Sequence, residues 1–154
     1  MKITLHIGTE KTGTTSIQEF LILNRELLSK QEILIPKSLI NNNHIWLHTF
    51  ALGDNYSGNY LINKLNNQNI CKKDLLEKKI IEFKQEVLDS KKDRCIVSSE
   101  HLSSRLNNIG YISKLKKILM EIFESVNIVL YIRKPINCAI SSLSTTIKVG
   151  NTPK

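Results

Sequence analysis

The sequence predicts an α/β protein: an open, mostly parallel sheet with helices on both of its faces. Three observations predict it. Apolar, β-branched runs of strand length alternate with segments of helical periodicity along the chain. The runs are mostly continuous in their apolar character, as strands buried on two faces are. Polar clusters follow the runs, and parallel sheets collect their ligands at the carboxyl ends of strands. With 154 residues, 41% of them hydrophobic and 23% charged, the chain reads as a single domain over 1–154 with a core of its own.

The elements follow in order. Lys2 to Ile7 is the first strand. From Thr14 to Ser29, Ile17, Phe20, Leu21, Leu27 and Leu28 keep helical spacing. Glu32 to Pro36 is a second short strand, stopped by its proline. Over 37–69 the signal weakens: Asn41 to Asn43 is a loop, His44 to Leu52 a short helix, and Tyr60 to Leu65 a helical turn. Lys73 to Ser90 is the clearest amphipathic helix, with Leu75, Leu76, Ile80, Phe83, Val87 and Leu88 on one face. Asp93 to Ser98 is the third strand, with Ser99, Glu100 and His101 at its carboxyl end. Ile109 to Glu124 is a helix that turns Ile112, Leu115, Ile118, Leu119, Ile122 and Phe123 inward. Val126 to Ile132 is the fourth strand, and Pro135 opens a last helix running to about Lys148.

The net charge of +8 fits an anionic small ligand, an anionic surface or nucleic acid. A basic helix interleaved with aromatics and a zinc-finger spacing are both missing from the sequence, so a nucleic-acid partner is not expected. No apolar run has the length of a membrane span, so no stable membrane insertion is expected. The first residues read as a strand rather than a signal sequence, which predicts a mature start at Met1 and a cytoplasmic setting. Cys71, Cys95 and Cys138 lack metal spacing and read as free thiols, with Cys95 and Cys138 in the core.

The stretch richest in chemistry is the loop from Gly8 to Thr15, GTEKTGTT, between the first strand and the first helix. A strand that empties through glycines into a helix N-terminus cradles anions, because unpaired N–H groups and the helix dipole point at the ligand. Gly8 and Gly13 have the spacing of a Walker A loop, yet Thr14 stands where the Walker lysine would. The lysine lies inside the loop, at position 11, and the hydroxyls of Thr14, Thr15 and Ser16 follow. No aspartate ends the third or fourth strand in the manner of a Walker B site, which disfavours a magnesium-dependent NTPase.

The run G-x-x-K-T-G-T-T-S resembles the 5′-phosphosulfate loop of sulfotransferases that use 3′-phosphoadenosine 5′-phosphosulfate (PAPS). The stretch from Val129 through Arg133 and Pro135 to Ser141 is similar to the family's second element, an arginine and a helix serine that grip the 3′-phosphate. The resemblance covers roughly residues 2–22 and 94–149. It implies a P-loop nucleoside-kinase-like sheet, PAPS as sulfuryl donor with no metal required, and a hydroxyl or amine acceptor, carbohydrate-like in character. It implies cofactor contacts from Gly8, Lys11, Thr12, Gly13, Thr14, Thr15, Ser16, Arg133 and Ser141. Lys11 would stabilise the leaving bisphosphate as negative charge grows on it. Family members run longer, so the resemblance also implies a C-terminally incomplete, truncated domain.

The general base is expected at a neighbouring strand end, where Glu100 and His101 are the candidates, Glu100 the favoured one. Each also has a plainer reading: Glu100 as a first-turn acid of a helix, His101 as a surface or supporting residue. His6 reads as buried and hydrogen-bonded. His44 and His48 are spaced i, i+4, but no third metal ligand accompanies them. Trp46 and Tyr56 suit either an acceptor site or the core. Two alternatives stand beside sulfuryl transfer: a truncated or degenerate nucleotide-binding module without turnover, and a P-loop small-molecule kinase, which the displaced lysine disfavours.

Overall fold

The computed structural model describes residues 1–39, 44–56, 71–148 and 150. The sequence readings over Asn41 to Asn43 and Tyr60 to Leu65 fall outside them. Four parallel strands form one sheet: β1 (Lys2–His6), β2 (Ile33–Leu34), β3 (Arg94–Ser98) and β4 (Ser125–Val129), in the spatial order β2-β3-β1-β4. Register pairs Ile3 with Cys95 and Val126, and His6 with Ser98 and Val129. Seven α-helices are described: α1 (Thr14–Leu23), α2 (Arg25–Lys30), α3 (Trp46–Leu52), α4 (Lys72–Ser90), α5 (His101–Arg105), α6 (Ile109–Met120) and α7 (Pro135–Lys148).

Strand alternation splits the core in two. Ile3 and Leu5 of β1 share a face with Cys95 and Val97 of β3. They pack with Trp46, Leu47 and Phe50 of α3, Phe83 and Val87 of α4, and Leu115 and Leu119 of α6. Ile96 points the other way and joins Ile33, Ile35, Leu21 and Leu28 under α1 and α2. Helices therefore cover both faces. The chain leaves β1 toward the second face and leaves β3 toward the first. A crevice opens between the carboxyl ends of adjacent strands whose connections part in this way.

Several elements differ from their sequence readings. The first helical segment is two helices, broken at Asn24, whose side chain donates to the Phe20 carbonyl at 2.9 Å. Phe20 and Leu27 consequently face solvent. β2 is only two residues long, and beyond it the Ser98 N–H donates to His44 Nδ1 at 3.1 Å. His44 thus completes the ladder where β2 stops, and Trp46 is a core residue. Leu88 and Ile112 are exposed despite their apolar periodicity.

The largest difference lies at β4 and α7. The run at 126–132 reads as a strand buried on both faces, yet Ile132 is 80% exposed, and Ile128, Leu130 and Tyr131 are open as well. β4 pairs with β1 on one side, and no described strand pairs with its other edge. No described residue of α7 is buried: Ile136, Ile140, Leu143 and Ile147 form an exposed stripe. Cys138 on the same helix is half-exposed, whereas Cys95 is buried, and burial pushes the Cys95 thiol far up. No described helix is long and apolar enough to cross a membrane.

Candidate functional site

The loop after β1 is shaped by backbone conformations that side chains normally avoid. Gly8 has φ +27° and Gly13 φ +86°, and Lys11 itself sits in the left-handed region at φ +66°. A non-glycine residue held there stores strain, a feature that clusters at ligand-binding sites. The loop is braced from within and from both sides. The Thr12 hydroxyl donates to the Thr9 carbonyl at 2.6 Å. Ser103 of α5 donates its hydroxyl to the Gly8 carbonyl. The Ile7 N–H donates to the Val129 carbonyl at 2.9 Å, and the Thr9 N–H to the Tyr131 carbonyl at 3.3 Å. Gly13 then caps α1, whose first N–H groups have no carbonyl of their own helix to meet.

Two residues, each more than 120 positions downstream of Lys11, converge on this loop. Arg133, just past β4, donates Nη1–H to the Lys11 carbonyl at 3.1 Å. The Lys11 ammonium donates to Thr145 Oγ1 of α7 at 2.9 Å. Between them lies a cavity of about 410 Å³, lined by Glu10, Lys11, Gly13, Thr14 and Thr15 from the loop and by Glu100, Arg133 and Ser141 from elsewhere. That volume falls within the range of small-ligand sites.

The sequence-derived set is therefore largely gathered. Lys11, Gly13, Thr14, Thr15, Glu100, Arg133 and Ser141 share one cavity. Gly8, Thr12 and Ser16 do not line it: Gly8 is buried behind the loop, Thr12 turns its hydroxyl into the loop, and Ser16 is exposed on α1. His101 does not line it either. Its ring packs against His48 of α3, centroid to centroid 4.9 Å, and His48 in turn meets Tyr56 at 5.4 Å. Adjacent residues at the start of a helix point in different directions, and here Glu100 takes the cavity side.

Sequence reasoning missed three residues. Glu10 adds a carboxylate to the cavity. Thr145 holds the Lys11 ammonium. Gln18, one turn into α1 and 4% exposed, donates its amide to Glu100 Oε2 at 2.6 Å. The signal for Gln18 was a polar residue on the inward side of an otherwise apolar helix face.

The histidines surround the carboxyl end of β3. His6 Nδ1 and the Ser98 hydroxyl hydrogen-bond at 2.8 Å, and the His6 ring meets Tyr131 edge-on at 4.9 Å. Burial holds His6, His44 and His48 below the usual histidine range. For His48 the value falls to about 3, with the nearby His101 and Arg105 adding to the effect. Among the described residues no group of three or more His, Cys, Asp or Glu is arranged to hold a metal ion.

This burial has a pH consequence. Below pH 6.5 the unfolded chain takes up a proton at His48 that the folded chain refuses, so this histidine's contribution to stability is complete above pH 6.5 and is lost as pH falls toward 3. At pH 5 the loss from His48 alone is up to about 2 kcal/mol. Urea unfolding at pH 7 and pH 5 should therefore show a clear drop in midpoint, and His48→Phe should flatten it. An unchanged pH dependence in that variant would show that His48 is not the group responsible.

Comparison with known proteins adds no relative: no family model, no curated protein and no solved structure matches the chain.

Proposed function

We propose that the chain is a PAPS-dependent sulfotransferase domain acting on a hydroxyl or amine acceptor, carbohydrate-like in character, over a P-loop-type sheet. One observation carries the reading. The lysine and hydroxyls of the first loop meet Arg133 and Ser141, from the far end of the sequence, in one cavity. Two cations from opposite ends of the chain, each with hydroxyl donors beside it, suit a ligand with two anionic groups. A Walker A site, by contrast, concentrates its cation on one polyphosphate chain.

The donor supplies an activated sulfuryl group, and the residues supply the rest. Thr14, Thr15 and the open N–H groups of α1 offer donors to a 5′-phosphate. The Arg133 fork and the Ser141 hydroxyl suit the 3′-phosphate. Lys11 places positive charge where the leaving oxygen gains negative charge, which lowers the barrier for the S–O bond that breaks. Glu100 accepts the acceptor's proton as the new bond to sulfur forms. Glu10 is exposed on the same cavity and leaves it with two cations and two carboxylates, so anion binding there relies on hydrogen-bond geometry as much as on net charge.

Isothermal titration tests the reading. Adenosine 3′,5′-bisphosphate is expected to bind without added metal, and Arg133→Ala to weaken it by about tenfold or more. Affinity for ATP with magnesium and none for the bisphosphate would overturn it in favour of a small-molecule kinase. A second reading, nucleotide binding without turnover, is favoured by the exposure of α7, which leaves the Arg133 and Ser141 side of the cavity open to water. Bisphosphate binding without labelled-sulfate transfer to any of a panel of glycans supports that second reading.

A further inference from the structure

Two adjacent residues, Glu100 and His101, follow the carboxyl end of β3, and a partner from opposite faces of the sheet meets each of them. His48, on the large-core side, packs its ring against His101. Gln18, on the α1 side, meets Glu100. We propose that Gln18 is a positioning residue that turns the Glu100 carboxylate into the cavity and holds it there for proton acceptance; this rests on the sulfotransferase reading above.

Gln18 is nearly fully buried, one helical turn beyond Thr14, the loop hydroxyl that lines the same cavity. The Gln18 amide presents its N–H₂ end to Glu100 Oε2 and donates at 2.6 Å. A buried long side chain has few rotamers left, because neighbouring packing selects one. Glu100 is less enclosed, half-buried beyond the end of β3. It stands at the N-cap position of α5, with only its backbone engaged in that helix: the Ser103 and Ser104 N–H groups both donate to its carbonyl at 3.2 Å. Without Gln18 the carboxylate would sample rotamers on an open rim. With it, the carboxylate is anchored to the same helix that presents the phosphate-binding loop. The base and the anion cradle then move as one body, which is what in-line transfer between two bound groups requires.

A double-mutant cycle tests this. Gln18→Met keeps the side-chain volume and removes the donor. It is expected to lower kcat for sulfuryl transfer by about tenfold or more, the worth of a hydrogen bond to a charged group, with bisphosphate affinity within about twofold of the parent. Combined with Glu100→Gln, the Gln18→Met change is expected to cost almost nothing further, because a residue that acts only through Glu100 has nothing left to act on. Equal losses from Gln18→Met in both backgrounds would overturn the proposal and leave Gln18 a packing residue.

A second measurement does not depend on turnover. In nitrogen-15 spectra of the intact chain, the Gln18 side-chain amide is expected to shift strongly and exchange faster with water in Glu100→Ala. An unmoved amide resonance would overturn the proposal even if transfer occurs. A parent chain that binds no bisphosphate and transfers no sulfuryl group would sink the functional reading instead, and the amide spectrum would still report whether Gln18 holds Glu100.

Discussion

Lys11→Ala is expected to lower kcat for sulfuryl transfer by about 10²–10³-fold, the usual loss when one preorganised donor to a developing anion is removed. The lysine is held ready. Its backbone is strained at φ +66°, its carbonyl accepts Arg133, and its ammonium rests on Thr145. Binding of the unreacted donor should weaken by much less, because the leaving oxygen gains its negative charge only as the S–O bond breaks. Lys11→Met, which keeps the length of the stem, should behave like the alanine variant, so that the effect follows the charge and not the packing. Single-turnover transfer with labelled donor measures it. A variant that retains most of the parental rate would remove Lys11 from the chemistry.

Gly8→Ala is expected to destabilise the fold by about 2–4 kcal/mol, overpacking and the backbone penalty at positive φ together. An added Cβ would stand 2.5 Å from Thr14 Cγ2 and 3.2 Å from two atoms of the His6 ring, at a φ of +27°. Thr14 begins α1 and His6 ends β1, so yielding at either side deforms the strand-to-helix turn that shapes the cradle. Gly13→Ala is the control. It also has positive φ, but its Cβ would meet no heavy atom within 4 Å. Its cost should be limited to the backbone penalty, about 1–2 kcal/mol. Urea unfolding of the two variants separates them, and equal losses would show that the close contact behind Gly8 relaxes freely.

Both predictions concern a loop that was legible from the residues alone. The strand run, the glycine spacing, the displaced lysine and the hydroxyls are local, and local sequence suffices to specify a turn between a strand and a helix. The four strands and the α/β class were legible for the same reason, since alternation of period is a short-range signal. Boundaries were less so. The break at Asn24 and the two-residue length of β2 depend on which backbone groups find partners, such as the Ser98 N–H that meets His44 instead of a strand.

Exposure at β4 and α7 was not legible. An apolar strand run and a helical apolar stripe look alike whether or not another element covers them. Leu115 and Leu119 are buried where α3 packs over them, whereas Ile136 and Ile140, spaced in the same way, have no such cover among the described residues.

The division of labour between Glu100 and His101 belongs to the tertiary structure for the same physical reason. As neighbours in the chain they present two candidate bases at one strand end, and their sequence is symmetric in that respect. Their partners are distant: Gln18 is 82 residues from Glu100, and His48 reaches His101 from another helix. Residue order alone determined that a glycine-bracketed loop with an internal lysine follows the first strand, and that an arginine and a serine follow the fourth. Only the folded sheet, by placing β4 beside β1, brought the two together. Only the burial of Gln18 and His48 on opposite faces decided which acid or base looks into the cavity. Side-chain direction at a strand end is set by what packs against it, and that information lies elsewhere in the chain.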